Sequence, residues 1–203
     1  MMRVDVVVPC YNYGHFLGRC LDSILSQEGV DVRVLVIDDC STDDSAEVAE
    51  RLAAADARIE VQRHVVNRGH IATYNEGLLD WASGDLVVLL SADDLLAPGA
   101  LGRAAAIMAA DPAVGMVYGW APYFEDHDAL PSVRRGAKAG TIRWRGADWI
   151  ERRCRAGVNV ISSPEVVVRT SVQQHIGGYR PELPHAGDLE MWLRVAAVSD
   201  IAY

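Results

Sequence analysis

DLVVLLSADD, residues Asp85 to Asp94, is the stretch whose reading decides the fold. Leu86 to Leu90 form an unbroken apolar run after Asp85, too short for a free-standing helix. Such a run reads as a strand covered on both faces, since a half-exposed strand would alternate apolar and polar. Two adjacent carboxylates, Asp93 and Asp94, follow directly after it. Charge at the mouth of a core costs solvation, so its presence there asks for a chemical reason.

Working outward, the same strand–helix alternation recurs. Val4 to Val8 is a strand closed by Pro9, and Phe16, Leu17, Cys20, Leu21, Ile24 and Leu25 then repeat at helical spacing. Val32 to Ile37 is a second strand, followed by a Ser41–Ser45 cap and a helix through Leu52. Ile59 to Gln62 is a third strand, and Ile71, Tyr74, Leu78 and Leu79 mark a helix ending near Gly84. The run from Asp85 to Leu90 is the fourth strand, and Pro98 is expected in the first turn of a helix carrying Leu101, Ala105 and Met108. This alternation predicts an α/β fold with a mainly parallel central sheet and helices on both faces. Ligands of such sheets bind beyond the carboxyl ends of the strands. Pro9-Cys10-Tyr11-Asn12, Asp38-Asp39 and Asp93-Asp94 all fall at that edge. Further on, the charged stretch from Glu125 to Arg145 reads as a surface loop that could line an acceptor. A helix at Ala147–Arg155, a strand at Glu165–Arg169 and a helix at Leu189–Val198 follow it.

The 203 residues suit one domain, and half of them are hydrophobic, enough for a sizeable core. With 28 acidic against 19 basic residues the formal charge is −9, which argues against nucleic acid as a partner. No apolar stretch reaches the about 18 residues of a membrane span. The N-terminus runs into a strand pattern without a signal peptide's cleavage region, and four cysteines lack CxxC spacing. Both features predict a reduced, cytoplasmic setting and no zinc site. No GxGxxG turn follows the first strand and no GxxxxGK[ST] exists, which excludes the dinucleotide and P-loop readings. A phosphotransferase or hydrolase would need a nucleophilic Asp in the first loop, and PCYNY has none.

That first loop instead offers a ring, Tyr11, beside an amide, Asn12. A ring can stack on a nucleobase, worth ~1–3 kcal/mol per base in single-strand binders. Asp39 could accept the imide N–H of uracil or thymine. Packing for Tyr11 and a turn or cap role for Asp39 stand as alternatives.

VVVPCYN, VIDDCSTDDS, NRGHIATYNEGL, LLSADDLLAPGAL and GGYRPELPHAGDLEMWLR occur in order between Val6 and Arg194. In sequence and spacing they resemble the family 2 glycosyltransferases. The resemblance implies a GT-A-like nucleotide-binding domain that transfers a sugar from a UDP- or dTDP-sugar to an acceptor hydroxyl with inversion. Residues 1–120 would be its donor half. Residues 121–203 would be the acceptor side of the same domain. It implies that Pro9, Tyr11 and Asp39 form the nucleobase pocket and that Asn67, Arg68 and Gly69 contact the donor, Arg68 through phosphate. Ala92, Asp93 and Asp94 would form the turn at the diphosphate, with Asp93 binding a divalent cation, Mg²⁺ or Mn²⁺. Asp188 would be the general base. The acceptor would be a saccharide, a lipid-linked saccharide or a small molecule.

Ser91 stands where the family's DxD motif has its first acid, and Gly187 where the family often has Glu before the base. These departures keep a non-catalytic nucleotide-sugar-binding or interaction domain open. Asp94 could support the turn, reach the sugar or cap the next helix. Asn75 could pack a helix or touch the donor, and His185 could touch acceptor or metal. The sequence ends at Tyr203 as Ile201 opens a strand pattern, so a minimal member, a truncated one and a peripheral anchor at the inner membrane face all remain open.

Overall fold

In the computed structural model, residues 1–124, 140–161, 164 and 166–203 are described. β1 (Arg3–Cys10), α1 (Gly14–Leu25), β2 (Asp31–Asp38), α2 (Ser45–Ala55) and β3 (Ile59–Arg63) follow the expected alternation. Next come α3 (His70–Asn75), continued by a π-helical segment Glu76–Trp81, β4 (Leu86–Leu89), α4 (Ala100–Ala110) and β5 (Val114–Val117). β6 (Arg143–Trp144), α5 (Gly146–Ala156), β7 (Val167–Arg169), α6 (Thr170–Ile176), α7 (Gly187–Val198) and β8 (Asp200–Ala202) complete the order.

All eight strands join one sheet in the order β3-β2-β1-β4-β7-β5-β8-β6. β3, β2, β1 and β4 are parallel, and β5 is parallel to β8. β7 runs against β4 and β5, and β6 against β8, so among the described strands these two oppose the common direction. The apolar runs are explained by two cores, one on each sheet face. Val4, Val6 and Val8 of β1 pack with Leu17 and Leu21 of α1, Ala49 of α2 and Leu101 and Met108 of α4. Val7, Leu35 and Ile37 point the other way, onto Leu78, Trp149 of α5 and Met191 and Val195 of α7.

Among the buried polar groups, Asp5 is fully enclosed at the amino ends of the strands. Asp5, 0 % exposed, accepts hydrogen bonds from Arg33 Nε (3.1 Å) and Nη2 (2.8 Å) and from the amides of Ser83 (2.7 Å) and Gly84 (2.8 Å). Burial by itself would raise its carboxyl, but the guanidinium and the two amides outweigh it and hold the group below the ordinary carboxylate range. The bonds tie β1, β2 and the turn before β4 together at their amino ends.

Several expectations are corrected. Pro98 precedes α4, which begins at Ala100 after a left-handed Gly99, rather than lying in its first turn. α7 starts at Gly187, two residues before Leu189, and the strand expected from Glu165 is described as Val167–Arg169, Glu165 lying outside the described residues. Of the stretch expected as a loop, residues 125–139 are outside the described part, whereas Arg143 and Trp144 pair with Ala202 and Ile201. β5 and α6 are too short to announce themselves by periodicity. Among the described residues, no helix is long and apolar enough to cross a membrane.

Candidate active site

The loops after β1 and β2 are stapled together by Asn12. Its backbone adopts φ 60°, a left-handed conformation that Asn tolerates better than most residues. Its N–H donates to Ser41 Oγ (2.9 Å), and its Oδ1 accepts from the Thr42 amide (2.8 Å) and hydroxyl (3.2 Å). Pro9 is half-buried beside this staple, and the Tyr11 ring stands out at the carboxyl edge, 45 % exposed.

Asp39 organises the neighbouring loop from a buried position. Its Oδ1 accepts from the Arg68 amide (2.8 Å) and meets His64 Nδ1 (2.7 Å), while Oδ2 accepts from the Gly69 amide (2.9 Å). Asn67 Nδ2 donates to the Asp39 carbonyl (3.1 Å) and Asn67 Oδ1 accepts from Gly69 (3.1 Å). Burial would raise the Asp39 carboxyl, but these amides and His64 hold it below its ordinary value. Among the described residues Oδ2 accepts from Gly69 alone, so an ionised carboxylate keeps acceptor capacity there. His64, missed in the sequence, bridges Asp39 and Glu76 Oε2 (3.1 Å), and Glu76 also pairs with the Arg68 guanidinium and with Gln62. A lone His at a strand end carries no periodic signal, so only the fold reveals this network.

At the mouth of β4 the chain turns tightly, the Asp94 amide donating to the Ser91 carbonyl at 3.0 Å, with Ala92 buried beneath. Burial, and then the charge of Asp93, push the Asp94 carboxyl up to about 6. Like charges held together at a partly dry edge are what a cation would relieve. No group of at least three His, Cys, Asp or Glu that could hold a metal exists among the described residues. A hard cation at this turn would therefore take carboxylate from Asp93 and its remaining oxygens from ligand and water, the usual arrangement for Mg²⁺.

The sheet edge closes into a cleft of about 200 Å³ whose lining includes His70, Tyr74, Ser91, Tyr179, His185 and Asp188. Asp188 lies in the first turn of α7, so the fold brings the β4 turn and the α7 start into one space. The Tyr74 phenol is raised by burial and then by Asp188, Asp93 and Asp94, which places it within the field of all these carboxylates. Tyr11 and Asp39 are not among the residues lining this cleft; they stand at the ends of β1 and β2 along the same edge.

The wall carrying Tyr179 is held from two sides. Asn75 Nδ2 donates to the Tyr179 carbonyl (2.8 Å) and its Oδ1 accepts from the Tyr179 amide (2.6 Å). Arg194, paired with Glu190 through Nε (2.8 Å) and Nη2 (2.9 Å), donates to the carbonyls of Ile176 (2.6 Å) and Gly178 (2.8 Å). Trp192 is core, 3 % exposed. A Cβ on Gly178 would lie 2.2 Å from Asn75 Oδ1. Gly178→Ala is therefore expected to destabilise the protein by ~1–3 kcal/mol through overpacking, read as a lowered urea midpoint. An unchanged midpoint would show that the clamp gives way freely.

The family model described as Glycosyl transferase family 2 matches residues 5–163. The chain belongs to that family. An uncharacterized protein of Mycobacterium tuberculosis (strain CDC 1551 / Oshkosh) is 31 % identical to this family 2 chain, over 98 % of the chain and 64 % of its own length. Chondroitin synthase of Pasteurella multocida (strain Pm70) is 24 % identical over 96 % of the chain and 19 % of its own length. Among solved structures, S. aureus TarS 1-349 in complex with UDP superimposes with a TM-score of 0.74 at 21 % identity, covering 99 % of this chain and 57 % of that one. The mannosyltransferase PcManGT from Pyrobaculum calidifontis, in complex with GDP-Man and Mn²⁺, gives 0.63 at 24 % identity, covering 88 % and 48 %. The fold is thus the GT-A fold, and the family 2 chain spans less than two thirds of the length of these relatives.

Proposed function

We propose that this chain is the donor-binding and base-bearing part of an inverting glycosyltransferase. The carrying observation is that Ser91, at the start of the β4 turn, and Asp188, at the start of α7, line the same cleft. The first 120 residues supply the donor side and residues 121–203 the acceptor side.

The donor is a UDP- or dTDP-sugar. Tyr11, exposed at the edge, stacks on the base, Pro9 packs beside it, and Asp39 Oδ2 accepts the imide N–H. The 67–69 loop lies under the ribose and diphosphate. Arg68 must exchange its pairing with Glu76 to reach a phosphate. Asp93, with Asp94 and Ala92 shaping the turn, would hold Mg²⁺ or Mn²⁺. Bound there, the cation supplies Lewis-acid stabilisation of the charge on the departing nucleoside diphosphate. Asp188 takes the proton of the acceptor hydroxyl as that oxygen bonds to the anomeric carbon from the face opposite the diphosphate. The bond to the diphosphate oxygen breaks and its electron pair leaves with the nucleotide. Tyr74 and Tyr179 wall the space where this occurs. The acceptor is a saccharide, a lipid-linked saccharide or a small molecule. The free thiols of Cys10, Cys20, Cys40 and Cys154 suit a cytoplasmic setting, with peripheral contact at the inner membrane face.

Calorimetric titration of UDP, dTDP and GDP, each with and without Mn²⁺, tests the reading. UDP or dTDP is expected to bind more tightly when Mn²⁺ is present, with GDP weaker. Silence toward every nucleotide by folded protein would sink the proposal and favour a non-catalytic domain.

A further inference from the structure

The departure at Gly187 acquires a structural reason from its neighbour. Gly187 is buried, and a Cβ placed on it would lie 3.1 Å from Tyr179 Cδ1 and 3.7 Å from Cε1. The Tyr179 ring thus lies against the backbone of the residue that precedes Asp188. The ring is 5 % exposed and meets Tyr74 edge-on, with centroids 5.6 Å apart and planes at 72°. Its backbone is gripped on both polar groups by Asn75, so neither main chain nor ring is free to swing. The phenol hydrogen-bonds the Asp188 side chain, and both residues line the same cleft.

We propose that Tyr179 is the positioning residue of the base, its hydroxyl donating to one carboxylate oxygen of Asp188 while glycine at 187 keeps the space the ring needs. The inference rests on the reading of Asp188 as base. A carboxylate is otherwise free to turn about its terminal torsion, which is broad and weakly restrained. A donor fixed on one oxygen leaves the other aimed into the cleft, where an acceptor hydroxyl would arrive. Burial, and then the Asp188 charge, raise the Tyr179 phenol well above its ordinary value, so it stays protonated and acts only as donor. Tyr179 itself touches no reacting atom. It acts through Asp188, and Asn75 acts through Tyr179.

The test measures hydrolytic release of nucleotide from UDP-GlcNAc, GDP-mannose and dTDP-glucose, with water standing in for the acceptor hydroxyl that Asp188 deprotonates, and thermal unfolding, all with Mn²⁺ present. Tyr179→Phe is expected to lower kcat roughly tenfold, the worth of one charge-assisted hydrogen bond, with KM for the donor unchanged. Gly187→Ala should follow it in the same direction by displacing the ring. In a thermal cycle of Tyr179→Phe, Asp188→Ala and the double variant, the Tm shifts should be non-additive, because the two side chains share one contact. Additive shifts, or an unchanged kcat in Tyr179→Phe, overturn the inference while leaving the base assignment intact. Full turnover in Asp188→Asn, or no nucleotide release from any donor by the native protein, removes the base and with it this inference.

Discussion

Replacing Asp188 by Asn is expected to lower turnover on the order of 10²–10⁴-fold, the usual contribution of a positioned general base. The amide has nearly the carboxylate's shape, and its oxygen can still accept from Tyr179, so the wall of the cleft should survive. What it loses is the ability to take a proton. The loss should fall on kcat, with UDP or dTDP binding in calorimetry within about twofold of native, since the proposed nucleobase pocket lies at the ends of β1 and β2 and Asp188 in the first turn of α7. Native-like turnover in Asp188→Asn would remove the residue from the chemistry. Loss of turnover together with loss of nucleotide binding would instead give Asp188 a donor-site role, contrary to the mechanism above.

The second large effect concerns stability and lies at the opposite edge of the sheet. Asp5→Ala should destabilise the fold by about 1–3 kcal/mol, because it removes from a fully buried site the acceptor of two Arg33 and two backbone-amide hydrogen bonds, while Arg33 keeps Ser83, Glu60 and the Trp81 ring. Against the about 5–15 kcal/mol of an ordinary domain this is a large fraction. The pH dependence has a definite sign. Asp5 is held below its ordinary value when folded, so its contribution is fully present above the unfolded value, about 3.9. It is lost as pH falls through the lower folded value. Urea midpoints of the native and Asp5→Asn proteins should therefore differ most at neutral pH and converge in acid. A gap that stays constant down to acid pH would show that the carboxylate charge contributes nothing.

Much of the donor side was legible in the sequence, because the information there is local. The apolar runs at Val4–Val8, Val32–Ile37 and Leu86–Leu90 and the helical spacing between them specify β1, β2 and β4 and their helices, within two or three residues at the ends. The carboxyl edge followed from the same alternation, and with it the placing of Tyr11, Asp39 and Asp93. Asp5 was different. A charge inside an apolar run looks like an interruption until the strands are paired, when Arg33 faces it in the register Asp5↔Arg33. The β5 and β6 strands were hidden for a related reason. Two to four residues carry no period, and β6 exists only because β8 offers it an edge.

By itself the sequence determined the order of elements as far as α4, the parallel half of the sheet and the edge at which polar side chains collect, since side-chain period and turn chemistry act over a few residues. Tertiary structure alone decided that β7 enters between β4 and β5 against their direction. It alone set Ser91 and Asp188 in one cleft, joined His64 to Asp39 and Glu76, and seated the Tyr179 ring on Gly187. Those meetings depend on strand order and helix docking between residues far apart in the chain. Such contacts are chosen by how the two cores close as a whole, and no local period records that choice.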